Sequence, residues 1–240
     1  VAKLAGHDGA VLSLAYSSDG QYLASGSDDQ TLRVWPLQQD KLGGKSLLLR
    51  EPALAGTQTS TMAHTGSIWS VAFSPADPSL LASASWDKRV KLWRLPKPGS
   101  QQQPERIQVI RDHRDRVNNL AFSPNGEWRI TGSWDRRVKL WRWRPLVRSQ
   151  TDRFLYYRDF VTPRHNIGPE NEVYAVAYSS HDLIAAAGGD HTIYIWNRDG
   201  KPFTRIRNAH GARIFSLDFS PTHPHLLALG GATTRLGSGS

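Results

Sequence analysis

HTGSIWSVAFSPADPSLLASASWDKRVKLW, residues 64–93, decides the fold, because the chain writes it repeatedly. Copies begin at His7 (HDGAVLSLAYSSDGQYLASGSDDQTLRVW), at His113 (HRDRVNNLAFSPNGEWRITGSWDRRVKLW) and near Pro169 (PENEVYAVAYSSHDLIAAAGGDHTIYIW); a fifth opens at His210 (HGARIFSLDFSPTHPHLLALGG) and then breaks off. His7 to Asp29, His64 to Asp87 and His113 to Asp135 are 22, 23 and 22 residues apart. The step from Asp29 to Trp35, Asp87 to Trp93, Asp135 to Trp141 and Asp190 to Trp196 is always 6. Spacing that regular means one structural unit used several times.

Each unit holds three short runs with period-two alternation, as in Val11 to Tyr16, Tyr22 to Ser25 and Thr31 to Trp35, separated by SSDGQ and SDDQ. Alternating β-branched and aromatic residues between Asp, Gly and Ser clusters form strands joined as hairpins. A fourth, less regular run precedes each copy: Val1 to Leu4, part of Leu47 to Met62, Arg106 to Ile110, Phe154 to Val161 and Phe203 to Ile206. Four strands per unit predict one sheet per unit, and a lone sheet with an apolar face must stack on its neighbours.

Composition sets outer bounds. Across 240 residues, 39% hydrophobic and 21% charged is ordinary for a globular protein rather than a disordered one. No run approaches the ~18 to 20 consecutive apolar residues of a membrane span, and VAKLAGHDG lacks the regions of a signal peptide, so a soluble cytoplasmic protein with no membrane partner is expected. Cysteine is absent, which removes disulfides, thiol nucleophiles and thiolate metal sites. Val1 is not an initiator methionine and the chain ends in a flexible LGSGS linker, so a piece of something larger is expected.

Where His, Ser, Asp and Trp recur, the chain closely resembles the WD40 repeat family. The residues that carry the resemblance are Gly6, His7, Ser25, Asp29 and Trp35; His64, Ser83, Asp87 and Trp93; His113, Thr131, Asp135 and Trp141; and Asp190 and Trp196 in the fourth copy. The resemblance implies an all-β fold, a β-propeller of about five four-stranded blades with the last incomplete. Its repeats run approximately 7–35, 64–93, 113–141, 169–196 and 210–236 within a propeller over residues 1–236, and 237–240 form a Gly/Ser tail. It also implies that Val1 to Leu4 complete the last blade, either in a closed five-bladed ring or in part of a larger one; Thr233 stands where the fifth copy's Asp belongs.

The repeated Ser, His and Asp invite comparison with a catalytic triad, but a triad needs one site and these residues recur in every copy. The resemblance implies instead a buried hydrogen-bond network of Asp, His, Ser or Thr and Trp within each blade. His223 and His225 lie two residues apart in a Pro-rich turn with no neighbouring Cys or carboxylate, which argues for a solvated turn over a metal site. No GxxxxGK[ST], strand-linked GxGxxG or HExxH is present. No catalytic residue, metal or cofactor is expected.

In the family, partners most often meet the face built from the residue before each turn Asp and from positions three and five beyond the His. Here these are Asp28, Trp86, Trp134 and Gly189; Ala10 and Leu12; Ser67 and Trp69; Arg116 and Asn118; Glu172 and Tyr174; Arg213 and Phe215. Trp69, Trp86, Arg116, Asn118, Trp134, Tyr174 and Arg213 are the expected partner-binding set, an aromatic and arginine mixture typical of interface anchors. A hairpin turn has no local need for tryptophan directly before its Asp, as at Trp86 and Trp134, which favours binding over the alternative of packing against the neighbouring turn.

Lys and Arg total 30 against 21 Asp and Glu, and much of the excess lies from Arg136 to Asp159, interleaved with Trp143, Phe154, Tyr156 and Tyr157. This pattern suits either nucleic acid, through phosphate contact and stacking, or a solvated outer strand whose arginines cover apolar surface, and the second reading is favoured. Together these features predict a non-catalytic interaction scaffold or sensor, part of a larger signalling protein. Its expected partner is a protein or peptide, an acidic one suiting the basic surface, and further blades or a second copy would complete an open ring.

Overall fold

The computed structural model describes residues 4–38, 41–42, 46–51, 62–144, 153–160, 168–223 and 225–232. It is all strand, and no helix among the described residues is long and apolar enough to cross a membrane. The strands form five antiparallel sheets in chain order. The first contains Val11–Tyr16, Tyr22–Ser27 and Leu32–Gln38, with Leu47–Leu49 and the short Lys41–Leu42 both pairing with Leu32–Gln38. The second is Ile68–Phe73, Leu80–Ser85, Val90–Arg94 and Glu105–Ile110; the third Val117–Phe122, Trp128–Ser133, Val138–Arg144 and Arg153–Asp159. The fourth is Val173–Tyr178, Leu183–Gly188, Ile193–Asn197 and Pro202–Ile206, and the fifth the pair Ile214–Phe219 and Leu227–Gly231. Each is a blade, so the expected β-propeller architecture is present.

The core lies between blades, not within them. One cluster joins Val34 and Leu49 of the first blade to Ile68, Val71 and Trp93 of the second. Others join Ala84, Val90 and Leu92 to Val117, Leu120 and Trp141, then Ile130, Val138 and Leu140 to Val173, Val176 and Trp196, then Ala185 and Ile193 to Ile214 and Leu217. Both faces of a middle blade are therefore covered, which is why strands such as Leu80–Ser85 are buried at every residue.

The array is open. Ile68, Val71 and Phe73, on the innermost strand of the second blade, are 0%, 5% and 8% exposed against the preceding blade. Their counterparts on the first blade, Val11, Leu14 and Tyr16, are 48%, 62% and 62% exposed. The expected closure by Val1 to Leu4, the changed turn at Thr233 and the tail 237–240 fall wholly or largely outside the described residues.

A small residue recurs where the second strand of a blade meets the next blade. It is Gly26, Ala84, Gly132 and Ala187, opposite Ser13, Ser70, Asn119 and Ala175 respectively. A methyl group at Gly26 would stand 2.6 Å from Ile68 Cγ2, and one at Gly132 would stand 2.7 Å from Val173 Cγ1, so those two junctions are seated too closely for alanine.

Candidate functional site

Within a blade the conserved spacing closes a chain of hydrogen bonds. In the second blade Trp93 Nε1 donates to Ser83 Oγ at 3.0 Å, Ser83 Oγ lies 2.8 Å from His64 Nε2, and His64 Nδ1 lies 2.8 Å from Asp87 Oδ2. The arrangement recurs through Trp35, Ser25, His7 and Asp29, with His7 Nδ1 2.9 Å from Asp29, and through Trp141, Thr131, His113 and Asp135, with His113 Nδ1 2.9 Å from Asp135. One tautomer satisfies every atom: a neutral imidazole donates from Nδ1 to the carboxylate and accepts at Nε2 from the hydroxyl, which accepts the indole N–H. Burial opposes ionisation of Asp87 and Asp135, yet hydrogen bonds from the histidine and from backbone N–H groups hold both carboxyls below their usual range. Burial pushes the His64 imidazole down, against the Asp87 carboxylate.

These distances resemble a nucleophile, base and orienting acid, but Ser83 is 0% and His64 1% exposed, so no substrate reaches the hydroxyl. The fourth blade shows what the chain does without the histidine. Pro169 stands at that place, and Asp190 Oδ2 instead accepts from Glu170 N at 2.8 Å and from Tyr194 Oη at 3.0 Å. Ala186 occupies the hydroxyl position, leaving the Trp196 Nε1–H with no hydrogen-bond partner while its ring stacks on Tyr194 at 5.8 Å.

The same carboxylates shape the turn that carries the candidate side chains. Asp87 Oδ1 accepts from Arg89 N at 3.0 Å while Ser85 Oγ accepts from Asp87 N at 3.0 Å, so the turn is locked from both sides. Lys88 and Arg136, next in each turn, take the left-handed conformation with φ of 69° and 63°. Trp86 and Trp134 are thereby set at the tips of two neighbouring blades.

A second device sets the other residues. In every blade the pairing of the first two strands slips by one residue, between Val11 and Ser13, Ile68 and Ser70, Val117 and Asn119, Val173 and Ala175, and Ile214 and Ser216. The unpaired bulge residues are Leu12, Trp69, Asn118, Tyr174 and Phe215. A β-bulge bends its strand and re-aims a side chain, and here it brings Trp69, Tyr174 and Phe215 into the run of rings that holds Trp86 and Trp134, and Asn118 beneath Trp86. The residue after the bulge clips the blades together: Ser13 Oγ accepts from Val71 N at 3.0 Å, Ser70 Oγ from Leu120 N at 3.2 Å and Asn119 Oδ1 from Val176 N at 3.2 Å.

The outcome is a continuous line of rings over four blades. Trp69 stacks on Trp86 with centroids 4.8 Å apart at 11°, and Trp86 leans on Trp134 at 5.6 Å. Trp134 meets Tyr174 edge-on at 5.9 Å, and Tyr174 meets Phe215 at 5.1 Å. The Arg116 guanidinium lies 4.1 Å from the Trp86 centroid and 4.5 Å from that of Trp134. Arg213 is exposed, with its guanidinium 6.0 Å from the Tyr174 ring.

The expected residues therefore divide by depth. Trp69, Trp86, Trp134 and Arg116 are half-buried and Phe215 is 45% exposed, whereas Asn118 at 4% and Tyr174 at 8% lie beneath the surface. Asn118 is a support: its Oδ1 accepts the Trp86 indole N–H at 2.9 Å across the blade boundary. The bulge and the clip residues Ser13, Ser70 and Asn119 were missed from sequence; a polar residue recurring at one place in an otherwise apolar strand was the available signal.

Part of the basic stretch is engaged within the fold, and the side chains of Arg144, Arg148 and Arg153 fall outside the described residues. Arg137 and Lys139 pair with Asp159, at 2.6 and 3.0 Å. Arg142 and Arg198 each lie 5.2 Å from the Trp128 ring, and Arg198 pairs with Asp182 at 2.9 Å. His225 packs on His181 at 5.7 Å, and no group of three or more His, Cys, Asp or Glu side chains that could hold a metal is found among the described residues.

Comparison with known proteins agrees with this geometry. The family model described as WD domain, G-beta repeat matches residues 1–36, 56–94, 104–142 and 161–197. The chain is 34% identical to transducin beta-like protein 3 of Mus musculus over 123 residues, 51% of this chain and 14% of that protein. It is 31% identical to protein HIR1 of Mycosarcoma maydis over 158 residues, 63% of this chain and 15% of that protein. With the ribosome biogenesis protein WDR12 homolog of Drosophila persimilis it shares 25% identity over 232 residues, 95% of this chain and 50% of that protein. The chain thus spans half or less of the length of these relatives. Both the family match, which covers more than half of the chain, and the four repeated blades place this chain in the WD40 repeat family.

Proposed function

We propose that this chain is a non-catalytic interaction module that presents its aromatic face to a protein or peptide partner, within a larger protein. One observation carries the reading: five rings from four blades form an unbroken line with an arginine set against its two central tryptophans. Aromatic and arginine side chains gathered at one surface are what interface anchors are made of. WD40 proteins generally act as scaffolds of this kind, and the name of one relative assigns that protein to ribosome biogenesis, an assembly process.

A signalling or sensor role, a cytoplasmic site of action and completion of the open arc by further blades or a second copy belong to the same reading, as does a propeller domain spanning 1–236. The exposed Val11, Leu14 and Tyr16 support completion by an added blade. Nucleic-acid binding through Arg136 to Arg158 is the weaker alternative, since Arg137, Lys139 and Arg142 are occupied by Asp159 and Trp128.

The test is Trp86→Ala combined with Trp134→Ala. Capture of partners from lysate is expected to be lost while the circular dichroism spectrum stays that of the unaltered chain. Undiminished capture by the double variant refutes the assignment of this face.

A further inference from the structure

The central polar group of the aromatic face is a donor. The Arg116 guanidinium carbon lies 4.1 and 4.5 Å from the centroids of Trp86 and Trp134, and its side chain has no hydrogen-bond or carboxylate partner among the described residues. A guanidinium held against two rings in this way has N–H groups to offer a ligand, and those groups match a carboxylate fork. The cation is also partly desolvated by the two indoles, so a ligand that completes its hydrogen bonds gains more there than at a free surface arginine.

The surroundings have the same sign. Lys88, Arg114 and Arg136 are exposed on the turns and entry segments of the second and third blades, and Arg213 is exposed beside Tyr174. None of these four has a side-chain carboxylate partner among the described residues. Among the carboxylates of that sector, Asp87 and Asp135 bond their histidines, Asp115 accepts from the backbone N–H of Arg116 at 2.8 Å and Asp159 pairs with Arg137 and Lys139, while Asp112 is exposed ahead of Arg114. Glu172 is the acidic neighbour of Tyr174, which Arg213 also flanks, and Asp28 holds the Ser67 hydroxyl toward the first blade.

We propose that the occupant of this face is an acidic protein segment, one of whose Asp or Glu carboxylates seats on the edge of Arg116 while its neighbours face Lys88, Arg114, Arg136 and Arg213. The inference rests on the aromatic face being the binding surface and adds the chemistry of what binds. Cations spread over three blades, rather than converging on one point, suit several single charges along a peptide better than one doubly charged phosphate.

The experiment uses fluorescein-labelled twelve-residue peptides of one fixed aromatic content, with alternate positions filled by Asp and Glu, by Asn and Gln, by Lys and Arg, or by phosphoserine among Asn and Gln. Fluorescence polarisation is read against the full chain at several salt concentrations. The acidic set is expected to bind about tenfold tighter than the neutral set, with the gap closing as salt rises. Arg116→Gln should remove most of that gap, and Arg116→Lys should restore only part of it, because lysine keeps the charge and loses the fork.

Equal affinity for acidic and neutral sets, both lost in the Trp86→Ala, Trp134→Ala variant, overturns the acidic preference and leaves the face standing. Preference for the basic set or for phosphoserine overturns the carboxylate assignment in the same way. Binding that survives the double tryptophan variant, or no binding by any set, overturns the acidic preference; survival in that variant overturns the face as well.

Discussion

Thr131→Val asks whether the blade network stabilises the fold through its hydrogen bonds or only through its bulk. Valine has nearly the shape of threonine, so the change removes one hydroxyl and leaves no cavity. That hydroxyl lies 2.8 Å from His113 Nε2 and 3.0 Å from Trp141 Nε1. Thr131 is 0%, Trp141 2% and His113 5% exposed, so water does not replace it. Two buried polar atoms lose their partner, each at a cost of about 1 to 3 kcal/mol, and with partial relaxation the loss comes to about 2 to 4 kcal/mol. For a chain of this size that lowers the melting temperature by about 5 to 12 °C. Thr131→Ser keeps the hydroxyl and loses a methyl group, which costs only about 1 kcal/mol. Urea titrations followed by tryptophan fluorescence should therefore rank wild type above the serine variant and the serine variant above the valine variant. Burial of apolar area alone gives valine the higher stability, and a valine variant at or above wild type would refute the network account.

Two further predictions follow from titratable groups. Lys91 is 1% exposed on its side chain, pairs with Glu51 and donates to the Ala63 carbonyl at 2.6 Å; Glu51→Gln strips this buried cation of its charge partner and should cost about 2 kcal/mol, a figure reduced because Glu51 is 27% exposed, as measured by the same titration. The acid side of the stability curve should fall in two stages. His64 is held below its usual value by burial, so the unfolded chain binds that proton first and stability declines as pH drops below about 6.5. Asp29, Asp87 and Asp135 are held below the carboxylate range by their hydrogen bonds, so their contribution is complete above about pH 4 and is lost below it. Melting temperatures from pH 8 to pH 3 check both stages, and a His64→Gln variant should show the second alone.

The blades were legible because their signals are local and repeated. Val11 to Tyr16 alternates, DDQ turns, and the interval from Asp to Trp never changes, so strands and hairpins could be placed to within a few residues: Arg106 to Ile110 was expected where Glu105–Ile110 forms, and Phe203 to Ile206 where Pro202–Ile206 forms. Which sheet received the outer strand, and that the arc stays open at Val11, Leu14 and Tyr16, depend on contacts between units that no single repeat encodes. Trp69, Trp86, Trp134, Tyr174 and Phe215 could be named from repeat positions, but their ring-to-ring contacts could not, because a bulge in the first strand aims three of them, Trp69, Tyr174 and Phe215, where plain alternation gives no such direction. Asn118 illustrates the limit: its position predicted exposure, and the bulge instead turned it under Trp86 as a hydrogen-bond acceptor.

Gly132 has a reach beyond its own strand. A methyl group there would stand 2.7 Å from Val173 Cγ1 and 2.8 Å from Val176 Cγ1, so the fourth blade or its two valines would have to shift to admit it. The Trp134 and Tyr174 rings, 5.9 Å apart, straddle that same boundary, as Trp86 and Trp134 straddle the one beside Ala84. The missing carbon at the foot of the wedge thus sets the gauge of the surface above it. Ring spacing on the face and the pitch of the arc are one mechanical quantity, and a change made deep in the wall would be felt by whatever rests on the rim.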